Sequence, residues 1–409
     1  MTQAPTAAAL QGLRVIDMVR VIAGPYATQT FGDLGAEVIR IERPGEGDDV
    51  RRVAPPWIEG REGNLSTYFM AVNRNKQSVA LDFAQPEGAD LLRQLIKDAD
   101  VLVENFRPGT LAKYGLGYDD LKQLNPRLIY CSVSGFGQTG PYASRSGYDY
   151  LAQAMAGAMT VTGLPDGEPG GGPLRGGIPM ADIFAGMQAT VAVLAALHHR
   201  TATGEGQAID VSLFDAQFAT MLNPAACWLN AGQELPRTGN DHPSAAPYGV
   251  YPVDDGHILI ATFNDREFVR LAAALGHAEW STDDRFSSNG ARVANRAALK
   301  QCVTDALKGK TRAEWVDHLN KATVSCGPIN AMPDLETDPH VIDCDMIVEM
   351  EHPVLGKIRA PASAFRMTKT PPTYRTAPPL VGENTDEVLH RLLGLTPAEL
   401  TALRAKQIV

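Results

Sequence analysis

The chain has 409 residues, 44% hydrophobic and 21% charged, which fits two or three globular domains and excludes a disordered or fibrous protein. Its 37 Lys and Arg stand against 47 Asp and Glu, a net charge of −10, so neither nucleic acid nor an anionic membrane is expected as a partner. Mean hydropathy is −0.14, no apolar run is expected to reach the roughly 20 residues of a membrane span, and MTQAPTAAALQGLRVIDM lacks the basic-then-apolar order of a secretory leader.

In chain order, Leu13 to Met18 reads as a buried strand, followed by a turn through Ala23-Gly24-Pro25 and a helix over Tyr26 to Leu34. Gly35 ends that helix, and Glu37 to Ile41 is a second strand, which completes a βαβ unit and hence a parallel sheet. The pattern repeats. Pro86 opens a helix with an apolar stripe at Leu91, Leu92, Leu95 and Ile96, then Val101 to Val103 is a strand, Tyr118 to Leu124 a helix and Leu128 to Val133 a strand. Gly163 to Gly177 is too rich in glycine and proline for regular structure. An apolar helix over Ile183 to His199, a strand over Gln207 to Ser212 and an apolar helix over Leu213 to Asn230 follow. A linker, Gln233 to Pro247, leads to a β-hairpin of Tyr248 to Val253 and His257 to Thr262 turning at Asp254-Asp255-Gly256. Helices are expected near Asp265 to Leu275, Arg292 to Leu307 and Arg312 to Asn320, the last with a capping box from Thr311 to Glu314. The tail reads as strands near Met346 to Met350 and Lys357 to Ala360 and a helix over Asp386 to Leu393. The class is therefore α/β: a doubly wound, Rossmann-like large domain with a smaller α/β domain at about 225–330.

The first βα turn, Arg20-Val21-Ile22-Ala23-Gly24-Pro25, lacks G-x-G-x-x-G, so a dinucleotide is disfavoured. Cations gather in this half: Arg20, Arg40, Arg43, Arg51, Arg52, Arg74, Lys76, Arg107 and Lys113. At strand C-termini they read either as a site for a multiply phosphorylated ligand or as a solvated charged face. Asp182, just before the apolar helix, reads as its N-cap, as an anion stabilised by the helix N-terminus, or as both. Asp149, in Gly147-Tyr148-Asp149, poses the same choice. His198 and His199 are adjacent and cannot share a helix face, and no G-x-S-x-G or H-E-x-x-H is present. Five scattered cysteines, none at CxxC spacing, point to reduced thiols in a cytoplasm and to no cysteine-based zinc site. No metal is expected, and a carboxylate is the expected nucleophile.

Several motifs in order carry a resemblance: Val15-Ile16-Asp17 with Ala23-Gly24-Pro25, then Asp33-Leu34-Gly35-Ala36-Glu37-Val38-Ile39-Arg40-Ile41-Glu42-Arg43-Pro44-Gly45. Asn73-Arg74-Asn75-Lys76, Val103-Glu104-Asn105-Phe106-Arg107-Pro108-Gly109, Ser134-Gly135-Phe136-Gly137-Gln138-Thr139-Gly140-Pro141, Tyr148-Asp149, Ala181-Asp182 and Gly204-Glu205-Gly206-Gln207 follow. From Gly12 to Val409 the chain resembles the class III coenzyme A transferases. The resemblance implies a large domain built from residues 1–224 and 331–409, a small one over 225–330, and a homodimer of interlocked rings. It implies Asp182 as the nucleophile on an acyl-CoA and no tightly bound cofactor. Coenzyme A, a substrate, would lie near Arg20, Ile22, Ala23, Arg43, Leu81, Asp82, Phe83, Ala84, Asn105, Phe106, Arg107, Lys113, Ser146, Gly147, Tyr148 and Asp149. Lys113 replaces the family's Arg and loses its fork. Asp182, with an ordinary carboxyl pKa of about 3.9, would be ionised at neutral pH and need no general base. The Gly-rich segment would cover the anhydride.

Racemases of the same superfamily carry a His at the position of Tyr148, a poor base at its ordinary pKa of about 10, so transfer is preferred over racemisation; a CoA-binding protein without activity is the other alternative. Oxalate-specific members carry Gln at Ile22 and a tetraglycine loop not found between Gly239 and Gly256. The segments Arg237 to Tyr248 and Met350 to Ile358 look most like transferases acting between succinate and glutarate-type dicarboxylates. An Arg, with Arg51, Arg74 and Arg107 as candidates, would hold the distal carboxylate.

Overall fold

The computed structural model describes residues 8–54, 56–60 and 63–409. The reading of the N-terminus as lacking a leader rests in part on residues 1–7, outside the described residues. The chain forms two compact units: Met1–Ala156 with Gly177–Met221 and Asp343–Val409, and Gly157–Gly176 with Leu222–Ile342.

The first unit carries β1 (Arg14–Met18), β2 (Glu37–Glu42), the short hairpin β3 (Trp57–Gly60) and β4 (Gly63–Ser66), β5 (Lys76–Ala80), β6 (Val101–Glu104), β7 (Ile129–Ser134) and β8 (Ala208–Ser212). Six of these form one parallel sheet in the order β5-β2-β1-β6-β7-β8. Successive residues of a strand face opposite sides. Ile16, Ile39 and Leu102 pack with Leu91, Leu92, Leu95 and Ile96 of the helix Pro86–Lys97 and with Leu400 and Leu403 of the C-terminal helix Pro397–Ala405. Val15, Val38, Val103 and Val133 pack on the other face with the helices Ala23–Asp33 and Met180–Thr203.

Met180–Thr203 is long and apolar enough to cross a membrane by length and composition, which departs from the expectation. Its buried stripe of Ala181, Ala185, Ala189, Val193 and Ala196 is part of this core. Small residues let it approach Ala23–Asp33 closely: a Cβ on Gly186 would lie 2.5 Å from the Ala23 carbonyl oxygen. The two helix N-termini thereby meet beside the sheet.

The second unit holds the antiparallel strands β9 (Tyr248–Val253), β10 (Gly256–Ala261) and β11 (Ser325–Pro328) in the order β11-β10-β9. The hairpin β9–β10 turns where expected, and the capping box at Thr311 and Glu314 is formed. Ile258, Ile260, Phe268, Phe286, Trp315 and Leu319 make this unit's core. The tail hairpin, β12 (Ile347–His352) with β13 (Gly356–Pro361), belongs to the first unit.

Several elements differ from expectation; the helix Pro397–Ala405, strand β11 and the hairpin β3–β4, for example, go beyond the expected set. The helix expected over Leu213 to Asn230 is two, Leu213–Ala219 and Leu222–Ala231, broken where Leu222 takes φ +34° and the chain passes between units. Arg292 to Leu307 is likewise split into Asn289–Ala294 and Arg296–Ala306. Strand β5 was not foreseen, because two of its buried positions are the polar Lys76 and Ser78.

Candidate active site

Strand order reverses between β1 and β6, and in open α/β sheets ligands bind at such a point, beyond the strand C-termini. There the structure has a cavity of about 360 Å³. It is walled by Arg20–Ala23 after β1, Asn105–Pro108 after β6, Val133–Gly135 at the end of β7 and Arg145–Tyr148, and Asp182 faces it from the start of the long helix.

The β1 turn is built by acceptors. Asp17 Oδ1 accepts from Val19 N (3.1 Å), Asn105 Oδ1 from Arg20 N (2.9 Å), and Asp48 from Val21 N (3.2 Å); Asn105 Nδ2 also donates to the Arg20 carbonyl (2.7 Å). Val21 has φ +70°, a conformation that costs a β-branched residue about 1–3 kcal/mol and that these bonds hold. Asp17 and Asp48 are themselves buried in an ion cluster with Arg40 and Lys76. Burial alone would raise the Asp17 carboxyl pKa, but Lys76 and Arg40 beside it bring it below the usual value. Burial lowers the Lys76 ammonium to about 8 despite Asp17.

The cations expected at the strand ends therefore divide. Arg40, Arg74 and Lys76 are buried, and Arg51 and Arg74 are taken by bidentate bonds to Glu42 (2.6 and 2.8 Å) and Asp33 (2.6 and 2.9 Å). Neither Arg51 nor Arg74 lines the cavity, whereas Arg20 and Arg107 do.

Asp182 is 9% exposed and occupies the third position of Met180–Thr203. It is not the N-cap, which is Pro179 without a side-chain bond. Instead Asp149 Oδ1 accepts from the Asp182 backbone N–H at 3.1 Å, while its Oδ2 accepts from Gln153 Nε2 at 2.6 Å. Asp149 thus satisfies one of the orphan donors of this helix end from the start of a different helix, Asp149–Met155. Burial, and then the nearby Asp149 charge, push the Asp182 carboxyl up to about 7. The group is therefore half-protonated near neutrality rather than fully ionised as its ordinary value implies.

Of the residues expected to hold coenzyme A, Arg20, Ile22, Ala23, Asn105, Phe106, Arg107, Ser146, Gly147 and Tyr148 line this cavity with Asp182. Arg107 donates to Ser146 Oγ at 2.6 Å. Asp149 lies behind Asp182. Leu81 is buried in the core, and Phe83 stacks edge-on against Phe106 (5.6 Å), supporting the wall from outside. Asp82 and Ala84 bond to one another (3.1 Å), Arg43 pairs with Glu46 (3.0 Å), and Lys113 is exposed on the turn Leu111–Tyr114; none of the four lines the cavity. Sequence reasoning missed Arg145, Ser134 and Gly135 as lining residues.

The glycines of the two flanking motifs meet. A Cβ on Gly135 would lie 2.4 Å from the Gly147 Cα, and one on Gly147 would lie 2.3 Å from the Gly135 Cα. Only two glycines allow this backbone crossing, which sets Ser146 and Tyr148 against the end of β7. Gly147→Ala is expected to displace Tyr148 and Asp149 and to lower kcat/KM by up to about 100-fold, the scale of a 1 Å misplacement. Steady-state kinetics beside a melting curve check this; unchanged kcat/KM would show that the crossing does not position the site.

A buried carboxylate in the first turn of a long helix, in a cavity that guanidinium groups also line, suits nucleophilic attack on an activated acyl group whose remainder is anionic. No cluster of three potential metal ligands is found among the described residues.

Comparison with known proteins agrees with this chemistry. The profile of CoA-transferase family III matches residues 10–385. A succinate–glutarate CoA-transferase of Agrobacterium fabrum is 43% identical over 389 residues, covering 94% of this chain and 95% of that protein. The human succinyl-CoA:glutarate CoA-transferase is 38% identical over 384 residues, covering 94% and 86%. A crystal structure of a CAIB/BAIF family protein from Brucella suis superposes with a TM-score of 0.85 at 40% identity, covering 94% of this chain and all of that one. With the profile spanning nearly the whole chain and relatives this similar over their length, the chain belongs to CoA-transferase family III.

Proposed function

We propose that this enzyme moves coenzyme A from succinyl-CoA to the carboxylate of a second dicarboxylic acid, of glutarate type, with Asp182 as nucleophile. The observation that carries the reading is the placement of Asp182 in a cavity at the strand switch point, in a chain whose relatives are named for succinate and glutarate. An Asp182 oxygen attacks the thioester carbonyl and the C–S bond breaks, leaving an aspartyl–succinyl anhydride and the CoA thiolate. The thiolate attacks the aspartyl carbonyl, and succinate departs with the bridging oxygen. The acceptor carboxylate then attacks the aspartyl thioester and expels the thiolate. The thiolate attacks the acceptor's acyl carbon, which returns Asp182 as a carboxylate holding one acceptor oxygen. Each step exchanges one activated acyl for another, so no further energy source is needed. In this reading Arg20, Ile22, Asn105, Arg107 and Ser146, which line the cavity, contact the coenzyme A moiety. Family resemblance supports a homodimer, which light scattering on the purified chain checks.

The oxygen route gives the test. In a single turnover with succinyl-CoA and ¹⁸O-labelled glutarate, glutaryl-CoA forms and the peptide containing Asp182 gains one ¹⁸O. Glutaryl-CoA without label on Asp182 would remove Asp182 as nucleophile, and absence of glutaryl-CoA would remove glutarate as acceptor.

A further inference from the structure

We infer that Arg145 is the anchor for the distal carboxylate of both the donor acyl group and the acceptor acid. This rests on the transfer between dicarboxylates proposed above. A dicarboxylic acid uses one carboxylate at Asp182 and brings the other, still charged, into a partly enclosed cavity that already holds the carboxyl groups of Asp182 and Asp49. An anion beside like charges is favoured by a cation, and a guanidinium edge matches a carboxylate with two parallel bonds.

Three guanidinium groups line the cavity: Arg20, Arg107 and Arg145. Two are occupied. Arg20 pairs with Asp49 at 3.5 Å and lies over Phe106, and Arg107 donates to Ser146 Oγ at 2.6 Å. The Arg145 guanidinium has no hydrogen bond or ion pair to any described residue. It lies over the Tyr142 ring, 4.1 Å from the centroid, and its backbone N–H closes a turn onto the Tyr142 carbonyl at 2.9 Å.

That perch is anchored. Tyr142 packs edge-on against Phe136 (5.6 Å), which is 9% exposed and packs against Phe214 (6.1 Å). An arginine held on its face by a ring keeps its N–H edge for a ligand and gives up little side-chain freedom on binding. Because succinate leaves before the acceptor enters, one such anchor serves both halves of the reaction. It favours acids that carry a second carboxylate over those that do not.

Coenzyme A brings the other anions to this site, its phosphates, and they accompany every acyl group alike. The experiment therefore compares glutarate with butyrate as acceptors, and succinyl-CoA with butyryl-CoA as donors. Arg145→Ala is expected to lower the kcat/KM ratio of glutarate over butyrate by about 10- to 100-fold, the scale of one lost charge-assisted pair, and the donor ratio by a similar factor. Arg145→Lys, which keeps the charge without the fork, falls between. Arg145→Glu is expected to raise the use of 5-aminovalerate relative to glutarate. Equal loss for all acids would assign Arg145 to the phosphates and overturn the inference, as would unchanged ratios. A CoA-induced rise in melting temperature shows that each variant is folded; should Arg145→Ala lack it, Arg145→Lys and Arg145→Gln carry the same comparison. Failure of the wild-type enzyme to make glutaryl-CoA would instead overturn the transferase reading on which this one stands.

Discussion

Asp182→Asn is expected to abolish CoA exchange, by at least about 10³-fold, and at the same time to make the protein more stable above pH 7. The first effect follows from removing the nucleophile; the second follows because the carboxyl is 9% exposed and is pushed up to about 7, first by burial and then by Asp149. In the unfolded chain the same group ionises near 3.8. Between those two values the folded state holds a proton that the unfolded state has lost, so this group's contribution to stability falls as pH rises. It is fully favourable below about 4 and wholly lost above about 7, a change of about 4 kcal/mol. Asn never ionises. The melting temperature of Asp182→Asn should therefore exceed that of wild type at pH 8, and the gap should close toward pH 5. The attacking species is the ionised form, so wild-type kcat/KM should rise with pH through about 7 and then level. Melting curves and pH–rate profiles on both proteins check this pair of expectations. A variant less stable than wild type at pH 8 would show that the buried charge is compensated, and a flat profile would show an acid that stays ionised.

What the sequence made legible follows from how each feature is encoded. Strands β1, β2, β6 and β7 each carry a short apolar core, Val15-Ile16, Val38-Ile39, Val101-Leu102-Val103 and Ile129-Tyr130-Cys131, because a parallel sheet covered on both faces buries successive positions. They and the helix Tyr118–Leu124 were readable from pattern alone. The site motifs fall on loops that the fold brings together, since Asn105, Arg107, Tyr148 and Asp182 line one cavity. Charge was misread wherever pairing decided its meaning. Arg40, Arg51, Arg74 and Lys76 looked like a phosphate-binding surface, yet their partners Asp17, Asp33, Glu42 and Asp48 stand up to 59 positions away in sequence, as with Lys76 and Asp17. Local composition cannot separate a buried ion pair from a free cation. Arg145 was missed for the converse reason. Its place in Tyr142-Ala143-Ser144-Arg145 reads as an ordinary loop, and only the turn that sets it over Tyr142 shows a guanidinium in the cavity that is unpartnered among the described residues. The ionisation of Asp182 was misjudged because a reference value carries no burial.

Arg40→Met is expected to destabilise the protein by about 3–5 kcal/mol, or roughly 4–9 °C in melting temperature, and to raise KM for acyl-CoA although Arg40 does not line the cavity. Arg40 is fully buried and lies among three carboxylates: Asp17 (3.5 Å), Glu42 (3.7 Å) and Asp48, the closest. Lys76 bonds to Asp17 at 2.9 Å, and Arg51 forks onto Glu42, so three cations balance three anions. Removing Arg40 leaves a buried excess of negative charge, which is where the large cost arises. Asp17 and Asp48 are also the acceptors that hold Val19 and Val21 in the strained β1 turn. When these carboxylates protonate or move to relieve the excess, the turn loses its support and the cavity wall at Arg20 to Ala23 loosens. The double variant Arg40→Met with Asp48→Asn removes one charge of each sign while keeping an acceptor at position 48. It should be destabilised by clearly less than the sum of the single changes, a coupling of about 0.5–3 kcal/mol. Chemical denaturation of the four proteins, read beside KM for succinyl-CoA, measures both quantities. Additive stabilities would show that Arg40 and Asp48 act independently, and an unchanged KM in Arg40→Met would show that the β1 turn holds its shape without the cluster beneath it.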